Sequence, residues 1–225
     1  MVSEMPKWNL PAFRLIVLAA VAGVLAGVTA LYVMGGPAGN LSAETGDETA
    51  CAAKAEKVVM LEPAIGGEVA AMLPAAPPRS MSGLRFAGPD GQAMTVADFA
   101  GKTLLLNLWA TWCAPCRHEM PALDALQSEM GSDRFEVVAV NIDRGGDEKP
   151  KAFLREIGIQ SLAYYRDEST GIFNELKKGG LALGLPVTLL VDADGCLLAH
   201  MNGPAEWASE DAKLLIEAAL PAGES

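Results

Sequence analysis

Apolar residues in this chain fall into runs of three kinds. Residues 15–34, LIVLAAVAGVLAGVTALYVM, form an uncharged stretch long enough to span a ~30 Å hydrocarbon layer at a helical rise of about 1.5 Å per residue. Residues 104–109 (LLLNLW) and 135–142 (FEVVAVNI) are short and almost continuously apolar, as strands covered on both faces are. From residue 116 to 130, Met120, Leu123, Leu126 and Met130 recur three or four apart, which predicts one buried helix face. Two extended pieces flank the Pro89-Asp90-Gly91 turn within residues 84–94. Further helices are predicted at 150–157, ended by Gly158, and at 172–178, ended by Gly179-Gly180, with a strand at 162–165 between them. Strands at 187–191 and 197–200 enclose the Asp192-Ala193-Asp194-Gly195 turn and must run antiparallel. Ser209 caps a last helix reaching Leu220, with Glu210 and Asp211 well placed in its first turn. Strands alternating with helices predict an α/β domain around a central mixed sheet flanked by helices.

The flanks of the first run set its orientation. Lys7 and Arg14 precede it, whereas Glu44, Asp47 and Glu48 follow, so the positive-inside rule keeps the N-terminus in the cytoplasm. The expected organisation is a cytoplasmic tail (1–14), a transmembrane anchor (15–34), a tether with a short helical lead-in (35–76), and the α/β domain (77–221). Pro63 and Gly66-Gly67 break the lead-in, and the run from Pro74 to Arg79 marks the boundary. A cleavable signal peptide ending near Leu41-Ser42-Ala43 is the competing reading, although signal cores usually run only about 7–15 residues. In a bacterium, an uncleaved anchor places the large domain in the periplasm, attached to the inner membrane. The formal net charge of −11 offers no basic stripe for nucleic acid. Four cysteines, Cys51, Cys113, Cys116 and Cys196, suit two disulfides in an oxidising compartment.

Cys113-Ala114-Pro115-Cys116 lies where a buried strand hands over to a helix. A thiol at that point faces unpaired N–H groups and the positive end of the helix dipole, both of which favour thiolate. Pro115 suits a first turn, where its missing N–H costs nothing. Cys113 is the expected nucleophile, and Cys116, one turn in, the resolving thiol. Zinc needs four ligands and there is no second Cys-x-x-Cys. His118 lies two residues past Cys116, which rotates it away by about 200°. No metal or other cofactor is expected.

Trp109-Ala110-x-Trp112-Cys113-x-Pro115-Cys116 resembles the active site of the thioredoxin superfamily, and Gly184-Leu185-Pro186-Val187-Thr188 its cis-proline loop. The resemblance runs from about Leu84 to Leu220. Glu119, the insert at 150–165 and Val191-Asp192-x-Asp194-Gly195 are similar to the membrane-anchored TlpA-like branch, which includes the ResA and CcmG proteins. The ending GPAEWASEDAKLLI and the outlying cysteines are most similar to the branch's TlpA-type members.

The resemblance implies a thioredoxin-like fold and a redox-active Cys113–Cys116 pair, surrounded by Trp112, Pro115 and Leu185. It further implies a cis Leu185–Pro186 bond beside Cys113, where Pro186 meets an extended substrate. Glu119 is implied to exchange protons with Cys116 or to shape the docking groove; a solvated surface glutamate is the alternative. Cytoplasmic thioredoxins carry an aspartate six residues before the first cysteine, but Asn107 stands there and cannot take a proton. Cys51 and Cys196 are implied to form a structural disulfide, against the alternative of two buried free thiols.

The uncharged Ala114-Pro115 predicts a reductant, with a potential nearer ~−270 mV than that of oxidising relatives. The family implies electrons from a membrane reductase of the DsbD or CcdA type. Its clients would be a copper chaperone or cytochrome oxidase subunit II, at the copper A site, or else apocytochrome c. The reading from another class is a metal-binding copper-chaperone module on the same scaffold.

Overall fold

The structure, a computed structural model, describes residues 47–221. Residues 47–52 are helical and carry Cys51. Helix α1 (Ala55–Leu61) and strand β1 (Leu73–Pro74) follow, then the hairpin of β2 (Arg85–Ala87) and β3 (Ala93–Thr95). The middle of the chain runs β4 (Thr103–Trp109), α2 (Ala114–Met130), β5 (Phe135–Asn141), α3 (Glu148–Glu156) and β6 (Tyr165–Arg166). It closes with α4 (Gly171–Lys178), β7 (Val187–Val191), β8 (Leu197–Asn202) and α5 (Glu210–Ala219).

The strands make one mixed sheet in the order β1-β8-β7-β4-β5-β6-β2-β3. Strand β4 pairs parallel with β5 and antiparallel with β7. It is therefore central, and every one of its residues is buried, which is why its sequence is apolar apart from Thr103 and Asn107. The α/β thioredoxin-like architecture thus holds. The tail, the anchor at 15–34 and residues 35–46 of the tether lie outside the described residues; among the described residues no helix is long and apolar enough to cross a membrane.

The strand expected at 162–165 is displaced to Tyr165–Arg166. The Asp124 carboxylate on α2 accepts the backbone N–H groups of Ser161 and Leu162, at 2.7 and 2.9 Å. Those donors are thus held by a side chain and not by a neighbouring strand.

The lead-in packs on the same core through Val58, Leu61, Val69 and Met72, and β1 pairs antiparallel with β8. A Cys51–Cys196 disulfide fastens it, with a Cα–Cα distance of 5.3 Å. Beside that bond, Lys54 Nζ reaches Asp192 at 2.7 Å and also contacts Asp194. The second oxygen of Asp192 accepts the N–H groups of Cys196 and Asp194 at 2.9 and 3.0 Å, so one buried carboxylate ties the β7–β8 turn to the lead-in.

Candidate active site

Strand β4 ends at Trp109, and the next four residues deliver Cys113 to the start of α2. Asp143, just past β5, fixes that connection: it accepts Thr111 N–H at 2.8 Å, Thr111 Oγ1 at 2.9 Å and Asn141 Nδ2 at 2.8 Å. Cys113 is the N-cap of α2, and its Sγ accepts the N–H of Cys116 at 3.2 Å. That donor points at the sulfur on which a thiolate charge would sit. Cys113 and Cys116 are disulfide-bonded, with Cα atoms 5.3 Å apart. Cys113 is 6% exposed and Cys116 is 0%, so only the first sulfur can be approached from solvent. Pro115 sits in the first turn of α2, and Trp112 beside it is 66% exposed.

The Leu185–Pro186 bond is cis and leads directly into β7, whose Val187 pairs with Leu108 of β4. That register brings Pro186 to the end of β4 from which the Cys113 segment departs. Pro186, Leu185 and the cysteine pair are therefore assembled at one end of the two central strands.

Glu119 is 2% exposed, so it is not a solvated surface residue. It shares the buried face of α2 with Cys116, one turn away. Its Oε1 accepts Asn107 Nδ2 at 2.8 Å; its Oε2 accepts Trp207 Nε1 at 3.0 Å and Ala205 N–H at 3.2 Å. Burial pushes its pKa up to about 7, against the three hydrogen bonds that favour the ionised form. A carboxyl group of that kind changes protonation in the range where thiols exchange.

Sequence reasoning did not single out Trp207, Ala205 or Thr188 as parts of this network, nor Asp143 with Thr111 and Asn141 as the brace under the cysteine loop. A lone tryptophan in the polar stretch before the last helix was the available signal for the first. His118 is exposed. Among the described residues no group of three or more His, Cys, Asp or Glu could hold a metal ion.

A redoxin family model matches residues 73–215, more than half of the chain. The chain belongs to the redoxin family. This redoxin is 29% identical over 134 residues to the thiol-disulfide oxidoreductase ResA of Geobacillus thermodenitrificans, covering 59% of this chain and 71% of that protein. It is 29% identical over 114 residues to ResA of Bacillus thuringiensis, covering 51% and 62%. A 52-residue segment is 55% identical to the thioredoxin-like protein YneN of Bacillus subtilis, covering 23% and 30%. The last two matches thus span less than two thirds of those relatives' own lengths. A Chlorobium tepidum structure, provisionally described as the thiol:disulfide interchange protein DsbE, superposes with a TM-score of 0.53 at 26% identity, covering 62% of this chain and 94% of that one. A provisionally described thiol-disulfide oxidoreductase of Bacteroides vulgatus gives a TM-score of 0.52 at 26% identity, covering 66% and 97%.

Proposed function

We propose that this redoxin is a TlpA-type thiol:disulfide oxidoreductase that reduces cysteine pairs of respiratory metalloproteins. The observation that carries the reading is the asymmetry of the Cys113–Cys116 pair. One sulfur is reachable at a helix N-cap with an N–H aimed at it, and its partner is sealed one turn in. Reduced Cys113 attacks a client disulfide as thiolate, forming a mixed disulfide and releasing one client thiolate. Cys116 then gives up its proton and attacks Cys113 Sγ, releasing the second client thiolate and leaving the Cys113–Cys116 disulfide. Two electrons pass to the client. Glu119, ionised to about half near pH 7, receives the Cys116 proton, and the backbone at Pro186 aligns the client's extended segment. A membrane reductase of the DsbD or CcdA type restores the dithiol.

The client class we propose is the copper A site of cytochrome oxidase subunit II and its copper chaperone. The domain works in the periplasm, held at the inner membrane by residues 15–34. The support for this narrower reading is the resemblance of the chain's ending and of Cys51 and Cys196 to TlpA-type proteins.

The test is a client trap. Cys116→Ser cannot resolve the mixed disulfide at Cys113, so clients stay attached and can be identified from a non-reducing gel. Adducts with a copper chaperone or oxidase subunit II are expected. Apocytochrome c adducts would move the protein to cytochrome c maturation. Absence of adducts, with wild-type exchange retained in the variant, would remove the mechanism.

A further inference from the structure

A cleft of about 500 Å³ opens beside the cysteine pair, with Trp112, Leu185 and Phe173 among its walls and Arg144 and Lys149 among its charged residues. We propose that this cleft selects client segments that carry an apolar side chain and acidic side chains next to the cysteine being reduced; this rests on the oxidoreductase reading above.

Cys113 is the sulfur a client must reach, and the residue before it, Trp112, forms part of the cleft wall together with Leu185, the residue before Pro186. Chain flanking the client cysteine therefore has to pass along this cleft. Its volume holds a few side chains and not a folded domain, so the recognised unit is a short extended segment. Trp112, Phe173 and Leu185 offer that segment apolar contact.

The charge is set against the character of the whole chain. At a formal net charge of −11, most of the surface repels an acidic partner. In the cleft the balance is reversed. Asp143, its lining carboxylate, is occupied by Thr111 and Asn141 from within. Arg144 and Lys149 are exposed, and neither has an ion-pair partner among the described residues. Of the carboxylates that follow Arg144 in sequence, Asp147 is engaged with Lys151, and Glu148, exposed, lies against Gly146 at the cleft's edge. Two cations without ion-pair partners among the described residues, against one lining carboxylate, steer an acidic segment into the cleft and slow a basic one.

The experiment compares two disulfide-linked peptides of identical sequence except that Phe and the cysteine are followed by Glu-Asp in one and by Lys-Lys in the other. Each is mixed with the fully reduced protein, and the second-order rate of peptide thiol release is measured at low and high salt. The wild type is expected to reduce the acidic peptide about tenfold faster at low salt, with the preference shrinking as salt screens it. The double variant Arg144→Glu, Lys149→Glu is expected to invert the preference, a ratio that normalises any loss of folded protein. A wild-type ratio within twofold of one, or an unchanged ratio in the double variant, overturns the proposal. So does reduction of glutathione disulfide as fast as the acidic peptide, which would give the cleft to a small anionic thiol. Hydroxyethyl disulfide separates the two levels: its reduction without any peptide preference overturns this proposal alone, and failure to reduce it overturns the oxidoreductase reading as well.

Discussion

Asn107 donates one amide group to Glu119 Oε1 at 2.8 Å and to Thr188 Oγ1 at 2.9 Å, while its own Oδ1 has no hydrogen-bond partner among the described residues. The amide thus shows its donor side to an acid that titrates near pH 7. All three groups that contact the carboxylate are donors, which suits the ionised form. Once the acid is protonated, a half-turn of the amide presents Oδ1 as an acceptor. An asparagine that cannot itself take a proton can therefore accompany either state of the acid beside it.

Glu119→Gln follows from this arrangement. Glutamine can keep one oxygen on Trp207 and Ala205, and its NH2 can donate to a turned Asn107, so the variant is expected to fold. What it lacks is the proton acceptor. Disulfide exchange at pH 7–8 is expected to slow by about 100-fold, at the low end of general acid–base effects, and to lose its inflection near pH 7. Stopped-flow exchange rates from pH 5 to 9 check this; an inflection of the same size and position in the variant would sink it.

The same group links stability to pH. Burial raises the pKa of Glu119 from 4.5 to about 7, so between those values the folded state holds a proton that the unfolded chain has lost. The stabilisation is complete below the unfolded value and is lost as pH rises through the folded one. Over that window it amounts to roughly 3 kcal/mol. Wild type should therefore lose stability relative to Glu119→Gln between pH 5 and pH 8 by roughly 2–3 kcal/mol. Urea unfolding of both proteins at the two pH values measures the difference, and parallel curves would contradict it.

The fold was readable where a single physical demand dominates a run of residues. Burial on both faces makes 104–109 and 135–142 almost continuously apolar, and the cysteine pair stands at the junction that follows the first of them. Glu119 was readable only in part. Its three-residue spacing from Cys116 gives the helix face, but the donors that make its burial tolerable come from β4 and from the loop before α5, 12 and 88 positions away in sequence. Nothing local to the helix announces them. The misplaced strand at 162–165 has a similar origin. Its apolar residues look extended, yet Asp124, 37 and 38 positions before Ser161 and Leu162, takes their N–H groups.

Replacing both Cys51 and Cys196 by Ser tests the staple apart from the redox chemistry. The bond spans 145 positions, and the chain-entropy model gives about 5 kcal/mol for closing a loop of that length. The melting temperature is expected to fall by about 10–20 °C, while Cys113 still exchanges with small disulfides at 25 °C. A shift of under 3 °C would mean that the packing of the lead-in holds it without the bond.

Asp192→Asn probes the charge beside that staple. Burial pushes the Asp192 pKa up, but hydrogen bonds from Lys54 and the Cys196 N–H outweigh it and hold the carboxyl below the usual range. Asparagine can keep an oxygen for Cys196 and Asp194, so the loss is confined to the pairing with Lys54 and Lys57. Both lysines are partly exposed, which limits the cost to roughly 1–2 kcal/mol at pH 7. A depressed carboxylate pKa contributes stability above its unfolded value of 3.8 and loses it as pH falls through the folded value. The gap between wild type and variant should therefore begin to narrow below pH 3.8 and close as the pH passes the lower folded value. A gap that does not narrow between pH 4 and pH 2 would assign the cost to packing.

Trp207→Phe tests whether Glu119 sets the pH dependence of exchange. Phenylalanine fills most of the indole site but removes the Nε1–H that donates to Oε2 at 3.0 Å. The ionised acid loses one of its three donors while its burial changes little, so its pKa must move upward from about 7. A hydrogen bond to a charged group contributes about 1.5–3 kcal/mol, which corresponds to an upward move of about one pH unit or more. The inflection in the exchange rate should follow in the same direction, opposite to the flattening expected of Glu119→Gln. Far-UV circular dichroism establishes that the variant is folded. An inflection left where wild type has it would then show that exchange is governed by another group, the most direct candidate being the Cys113 thiol.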